Sequence, residues 1–124
     1  LTRRRARHII TENDRTLAAA EAMKAGDAAR LGELMNASHA SLRDDFEVSS
    51  AALNQMVECA QGQGGCYGAR MTGAGFGGCA VALVRAEAAA DFSRRVEVCY
   101  REATNVQPNI YICVPTNGAE VVRR

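Results

Sequence analysis

Tryptophan is missing, proline occurs twice, and aromatic residues make up 5 % of the 124 positions. A core must therefore be packed from Ala, Leu, Val and Met rather than from rings. Scarce proline leaves long helices uninterrupted. No charge sign dominates: 15 Lys and Arg face 14 Asp and Glu, a net charge of +1. That balance gives no long-range attraction to nucleic acid or to a membrane surface. The small basic clusters, Arg3, Arg4, Arg5 and Arg7 at one end and Arg123 and Arg124 at the other, read as solvated helix and tail charges. No run approaches the roughly 20 apolar residues of a membrane span, and no secretory leader is visible. With two histidines and no C-x-x-C pair, the sequence argues against a zinc cage. The five cysteines are odd in number, which reads as buried free thiols in a reducing cytosol.

Hydrophobic residues are 48 % of the chain and charged residues 23 %, as expected for one soluble domain spanning 1–124. The chain opens at Leu1, inside a helical pattern, which reads as a segment of a longer polypeptide.

Ala6, Ile9, Ile10, Asn13, Leu17, Ala20 and Met23 recur at helical spacing and mark a first helix over about 3–25. Gly26 is placed to end it as a left-handed cap, and Asp27 to cap the next helix, 28 to about 43. That helix carries Leu31, Leu34, Met35 and Leu42 on one face. The very short link favours an antiparallel helix pair. Asp44 and Asp45 break the pattern. Ser49 reads as the cap of a third helix, with Val48 and Leu53 as a hydrophobic staple. That helix runs to about Gln61 and is stopped by Gly62, Gly64 and Gly65.

The period then changes. Tyr67, Ala69 and Met71 alternate with Gly68, Arg70 and Thr72, the pattern of a strand. Residues 79–84, "CAVALV", are apolar throughout and read as a central strand covered on both faces. A helix follows over about 86–103, then a strand, "NIYICV", at 109–114, ended by Pro115 and the Asn117-Gly118 turn. The order α-α-α-β-β-α-β gives a two-layer α+β domain, a ferredoxin-like antiparallel sheet covered by helices. Leu31, Leu34, Leu53, Val57, Val81, Leu83, Phe92, Val96, Ile110 and Ile112 are the expected core.

Residues 73–78 join the first two strands, and four of the six are glycine. Gly73, Gly75 and Gly78 satisfy G-x-G-x-x-G, yet a strand follows instead of a helix, which rules out a dinucleotide fingerprint. No Gly-Lys-Ser/Thr occurs, so the Walker loop is excluded as well. What remains is a backbone loop able to form an anion-binding nest, with Arg70 and Thr72 beside it as loop support, or a hairpin that only packs. Asp44 and Asp45 are adjacent at a helix end and point apart, which argues against a paired-carboxylate mechanism and for capping and loop ordering. His39 faces inward as a hydrogen-bonded packing histidine rather than a catalytic one.

"GARMTGAGFGGCAVALV" (68–84) resembles the third conserved motif of the GHMP kinases in its galactokinase form. "RRRARHIITENDRT" (3–16), "SHASLRDDFEVS" (38–49) and "IYICVPTNGA" (110–119) resemble further galactokinase segments, in the same order and together spanning nearly the whole chain. The resemblance implies the C-terminal domain of an enzyme that phosphorylates galactose at its anomeric hydroxyl, using ATP and Mg²⁺. It assigns the catalytic residues, most galactose contacts and the Ser-rich phosphate loop to an N-terminal domain, the expected partner of this one. No catalytic residue and no metal ligand is expected in this chain, and the segment alone is expected to be inactive. Gly73, Ala74, Gly75, Phe76, Gly77 and Gly78 are expected to close the phosphate side of the interdomain cleft, with Asp44, Asp45 and Ser49 at the interface. Ala74 stands where many relatives have Gly, so that position does not call for positive φ. A sister GHMP kinase for another small substrate, a non-catalytic galactose sensor, and a stand-alone ferredoxin-like ligand-binding module remain open.

Overall fold

The computed structural model describes residues 1–73, 78–115 and 121. Helix α1, Thr2–Ala25, ends at Gly26 in the left-handed region (φ 68°). The N–H groups of Gly26 and Asp27 turn back onto Ala22 and Met23, closing the helix as expected. Asp27 caps α2, Ala28–Ser41, by accepting from the Arg30 N–H at 3.0 Å. The pair is antiparallel: His8 Nδ1 lies 2.8 Å from Ser41 Oγ, and Ser38 Oγ donates to Glu12 at 2.6 Å.

The face of α1 that meets α2 is not the apolar one. His8 and Ala22 are the buried residues of α1, with Glu12 and Arg15 half-buried beside them. Ile9, Ile10, Leu17 and Met23 are all more than 60 % exposed. Helical periodicity locates a stripe but not what it faces, and here the contact with α2 is made by hydrogen bonds on the neighbouring face.

Helix α2 widens into a π-helical turn, Leu42–Phe46, and Glu47 ends it at φ 58°. Helix α3, Ala51–Gln61, is capped by Ser50, which accepts from the Leu53 N–H at 3.2 Å. The cap is thus one residue later than expected, because the Ser49 hydroxyl is spent on Asn54 at 2.8 Å. Val48 and Leu53 still pack into one cluster with Leu42, Phe46 and Met71.

Strands β1, Cys66–Thr72, and β2, Cys79–Val84, form an antiparallel pair running from Thr72 opposite Cys79 to Cys66 opposite Val84, with an irregularity near Cys66. A 3₁₀ turn, Ala86–Ala88, leads into α4, Ala89–Thr104. Helices plus a two-stranded antiparallel sheet keep the expected α+β class.

Three expectations are corrected. First, 109–114 forms no strand: the segment has no ladder partner among the described residues, Tyr111, Ile112 and Val114 are exposed, and only Ile110 packs on the core. Second, β2 is not central. In a two-stranded sheet it is an edge, and Val81 is 47 % exposed. Third, Cys59 and Cys99 are not free thiols but a disulfide between α3 and α4, with Cα atoms 5.8 Å apart. Helix packing brings together two cysteines 40 positions apart, which no local spacing rule detects. Of the free cysteines, Cys66 is half-buried while Cys79 and Cys113 are exposed, so burial fails there too. Leu34, Leu53, Val57 and Val96 are buried as expected, with Leu31, Leu83 and Phe92 half-buried. Asn117 and Gly118 lie outside the described residues.

Candidate functional site at the end of the hairpin

Strand β1 leads directly into the glycine segment. Thr72 is its last residue, Gly73 follows at φ 78°, and β2 opens at Cys79. Gly73 to Gly78 therefore bridges a two-stranded hairpin, as the sequence pattern requires. Gly73 and Gly78 are exposed, while Ala74, Gly75, Phe76 and Gly77 lie outside the described residues. Thr72 is exposed beside the bridge. Arg70 turns back on its own strand, its Nε donating to the Met71 carbonyl at 2.9 Å.

The approach to this bridge is anchored from α2. Asn36 Oδ1 accepts from the Ala69 N–H at 2.9 Å, and His39 Nδ1 accepts from the Met71 N–H at 3.0 Å. Alternate residues of an antiparallel strand send N–H groups to one edge, so these two side chains occupy the edge of β1 that β2 leaves free. Gln61 of α3 completes the arrangement, donating to Asn36 Oδ1 at 2.9 Å and to the Ala69 carbonyl at 3.3 Å. Helix and strand come this close because both carry glycine at the contact, Gly32 and Gly68.

His39 has a defined proton arrangement. A backbone N–H only donates, so Nδ1 is the bare nitrogen and Nε2 carries the proton. Nε2 donates to Asn54 Oδ1 at 3.0 Å, and the same oxygen accepts from Ser49 Oγ at 2.8 Å. The ring is 2 % exposed. Burial lowers its pKa below the ordinary 6.5, and the charges of Arg43 and Arg70 push the same way against the Asn54 bond and Asp44. It is a neutral imidazole joining α2, β1 and the start of α3.

A second polar set braces the turn between α2 and α3. Arg4 pairs with Glu47 at 2.6 Å, Arg5 donates to the Asp45 carbonyl at 2.7 Å, and Arg7 reaches the Asp45 carboxylate at 3.4 Å. Arg43 holds Asp44 through two bonds of 2.8 and 2.9 Å, which keep its carboxyl below the ordinary range. Three of the N-terminal arginines expected to be solvated, Arg4, Arg5 and Arg7, therefore fold onto this turn. Asp44 and Asp45 point to different arginines and form no carboxylate pair. Arg43, Asp44, Glu47, Ser49 and Asn54 line an open polar cleft with Arg4. Thus Asp44 and Ser49 share one surface, with the Asp45 side chain turned toward α1. Beneath α1, burial opposes ionisation of Glu12, but hydrogen bonds from Ser38 and Arg15 outweigh it and lower its pKa.

Among the described residues, no group of three or more His, Cys, Asp or Glu side chains is placed to hold a metal ion. Sequence reasoning noted His39 but missed Asn36, Gln61 and Gly32. The available signal was Asn36 and His39 three residues apart on α2, polar side chains on a packed face.

Comparison with known proteins decides the family. A family model described as "GHMP kinases C terminal" matches residues 19–101, more than half of the chain. The chain belongs to the GHMP kinases. A galactokinase of Roseiflexus sp. is 48 % identical over 116 residues, covering 94 % of this chain and 30 % of that protein. A galactokinase of Streptococcus thermophilus is 47 % identical over 119 residues, covering 96 % and 31 %. The chain thus spans about 30 % of the length of these GHMP kinase relatives. Among solved structures, Lactococcus lactis galactokinase complexed with galactose superposes with a TM-score of 0.80 at 50 % identity, over 84 % of this chain and 27 % of that one. Mevalonate kinase of L. major, in complex with R-mevalonate, gives 0.60 at 35 % identity, over 73 % and 26 %. Among the described residues, no helix of this GHMP kinase segment is long and apolar enough to cross a membrane.

Proposed function

We propose that this chain is the C-terminal part of a galactokinase, a single domain over 1–124 that works with an N-terminal domain. In this reading the complete enzyme transfers the γ-phosphoryl group of ATP to the anomeric hydroxyl of galactose in the cytoplasm. The observation that carries it is the likeness to galactokinases over nearly the whole chain, 48 % identity in one relative and a TM-score of 0.80 in one structure, against 0.60 for a mevalonate kinase.

Phosphoryl transfer asks for positioning and for charge stabilisation around the transferred group. The glycine-rich sequence of 73–78 suits the second task, since glycine backbone can adopt the turns of an anion-binding nest. Thr72 and Arg70 flank it as support. Asp44 and Asp45 are held by arginines, which argues against a paired-carboxylate role for these two. In this reading Mg²⁺ acts with ATP and is held mainly by the N-terminal part, as the resemblance to galactokinases implies.

Two chimeras test the reading. Residues 1–124 replace the matching segment of the Lactococcus lactis galactokinase and of the L. major mevalonate kinase. Coupled ADP release is then measured with galactose or mevalonate. Galactose-dependent release from the first chimera alone, and none from 1–124 by itself, is the expected result. Turnover by the isolated chain, or function only in the mevalonate kinase, overturns the proposal.

A further inference from the structure

We infer that Cys99 is a modification site. A low-molecular-weight thiol bearing carboxylates opens the Cys59–Cys99 disulfide by attack on the Cys99 sulfur and stays attached there as a mixed disulfide, with Cys59 as the leaving thiolate. The inference does not depend on the galactokinase reading above.

The two sulfurs stand in unequal surroundings. Cys59 is 2 % exposed and belongs to a core cluster with Val57, Ala60, Ala69 and Val96. Cys99 is half-buried and opens onto a cleft beside α4, lined also by Gln63, Arg94, Arg95, Val98 and Glu102. A thiol reaching for Cys59 has to pass through the core cluster, whereas Cys99 is met from the cleft. Gln55, one turn before Cys59 on α3, donates its amide N–H to the Cys59 sulfur at 3.5 Å. A donor there stabilises negative charge on that sulfur, and a better leaving thiolate is expelled faster. Access and leaving-group stability therefore favour the same direction of attack.

The step balances with the thiol as its one co-reactant. The incoming thiolate forms an S–S bond to Cys99 as the Cys59–Cys99 bond breaks. The electron pair of that bond goes to the Cys59 sulfur, which then takes a proton from water. The products are a mixed disulfide on Cys99 and a buried thiol on Cys59. The nucleophile comes from outside the chain. Cys66, seven positions after Cys59, turns its S–H to the Gly68 carbonyl at 3.4 Å, and burial pushes its thiol pKa up, away from the reactive thiolate. The cleft also selects charge. Arg94 and Arg95 are exposed along it, against Glu102 alone. Asp91 engages both guanidinium groups, Arg95 at 3.2 Å, and each has further N–H donors for a carboxylate on the incoming thiol. A cationic thiol meets like charge there instead.

The test treats the chain 1–124, its disulfide intact, with reduced glutathione in the absence of oxygen, natively and in urea. Samples are acid-quenched through the reaction and digested with pepsin, and the adducts are located by mass spectrometry. Natively, glutathione is expected on Cys99 in about tenfold or greater excess over Cys59, and in urea the two are expected within about twofold of each other. Arg94→Gln/Arg95→Gln changes only exposed side chains. At low salt it should slow opening by glutathione about threefold or more, and should not slow opening by cysteamine, which is cationic. Gln55→Met keeps the side chain's length without its N–H and should slow both reagents alike. Equal native adducts on the two cysteines, an excess on Cys59, or a purified chain without the bond overturns the inference. So does an arginine variant that slows both reagents equally, or a Gln55→Met variant with unchanged rates.

Discussion

Gly32 of α2 and Gly68 of β1 meet backbone to backbone. A Cβ built on Gly68 would lie 2.7 Å from the Gly32 Cα and closer still to its carbonyl, and one built on Gly32 would run into Tyr67. No contact of that kind involves the far end of a flexible side chain, so relief requires the helix to move off the strand. The bonds from Asn36 to Ala69 and from His39 to Met71 depend on this approach.

Gly68→Ala is therefore expected to destabilise the chain by about 3 kcal/mol, the upper range for overpacking. Gly64→Ala serves as the control, since a Cβ there meets nothing within 4 Å and the residue has no positive φ. Urea midpoints of the two variants decide the matter. Equal midpoints would show that helix and strand are not in backbone contact.

The disulfide gives a second prediction. Cys59 and Cys99 close a loop of 40 residues, and restricting the unfolded chain by such a loop contributes about 4 kcal/mol in the chain-entropy account. In a reducing cytoplasm the pair would be pressed toward thiols. Thermal melts of 1–124 with and without dithiol reductant are expected to differ by well over 5 °C. The Cys59→Ala/Cys99→Ala variant should melt low in both conditions. Reductant-independent melting of the parent chain would mean that the bond is absent in solution.

His39 sets a pH dependence. Its folded pKa lies below the ordinary 6.5 because the ring is buried near Arg43 and Arg70. The unfolded chain then binds the proton more readily than the folded one. This contribution to stability is complete above pH 6.5 and is lost as pH falls through the lower folded value. His39→Asn, which has nothing to titrate, should flatten that decline when denaturant midpoints are compared between pH 7.5 and 5. An unchanged slope would place the titrating group elsewhere.

Local features were legible in the sequence wherever a single residue's chemistry decides the outcome. Gly26 must take a left-handed conformation, Asp27 has a side-chain oxygen for a free N–H, and the period change at Tyr67 announces a strand. Tertiary choices were not legible. Ile9, Ile10 and Leu17 form a real helical stripe, but α1 meets α2 through His8 and Glu12 instead. "CAVALV" looks central because every residue is apolar, yet its sheet has two strands. The Asn36 and His39 anchors escaped because polar side chains on a packed face show no partner until the strand is placed beside them. The glycine motif was legible as a hairpin bridge, and its resemblance to the GHMP kinase motif agrees with the family match.

The central claim is that the bridge between β1 and β2 serves the phosphates of ATP and does not merely pack. The measurement that tests it most directly is specific activity beside melting temperature for Gly75→Val in the Lactococcus lactis galactokinase chimera carrying residues 1–124. In the proposed reading this glycine-rich segment receives the phosphates, and loss of anion-binding N–H donors costs on the order of 100-fold or more in turnover. The account predicts that fall in kcat with a melting temperature close to the parent's. A large drop in melting temperature with specific activity intact would contradict it.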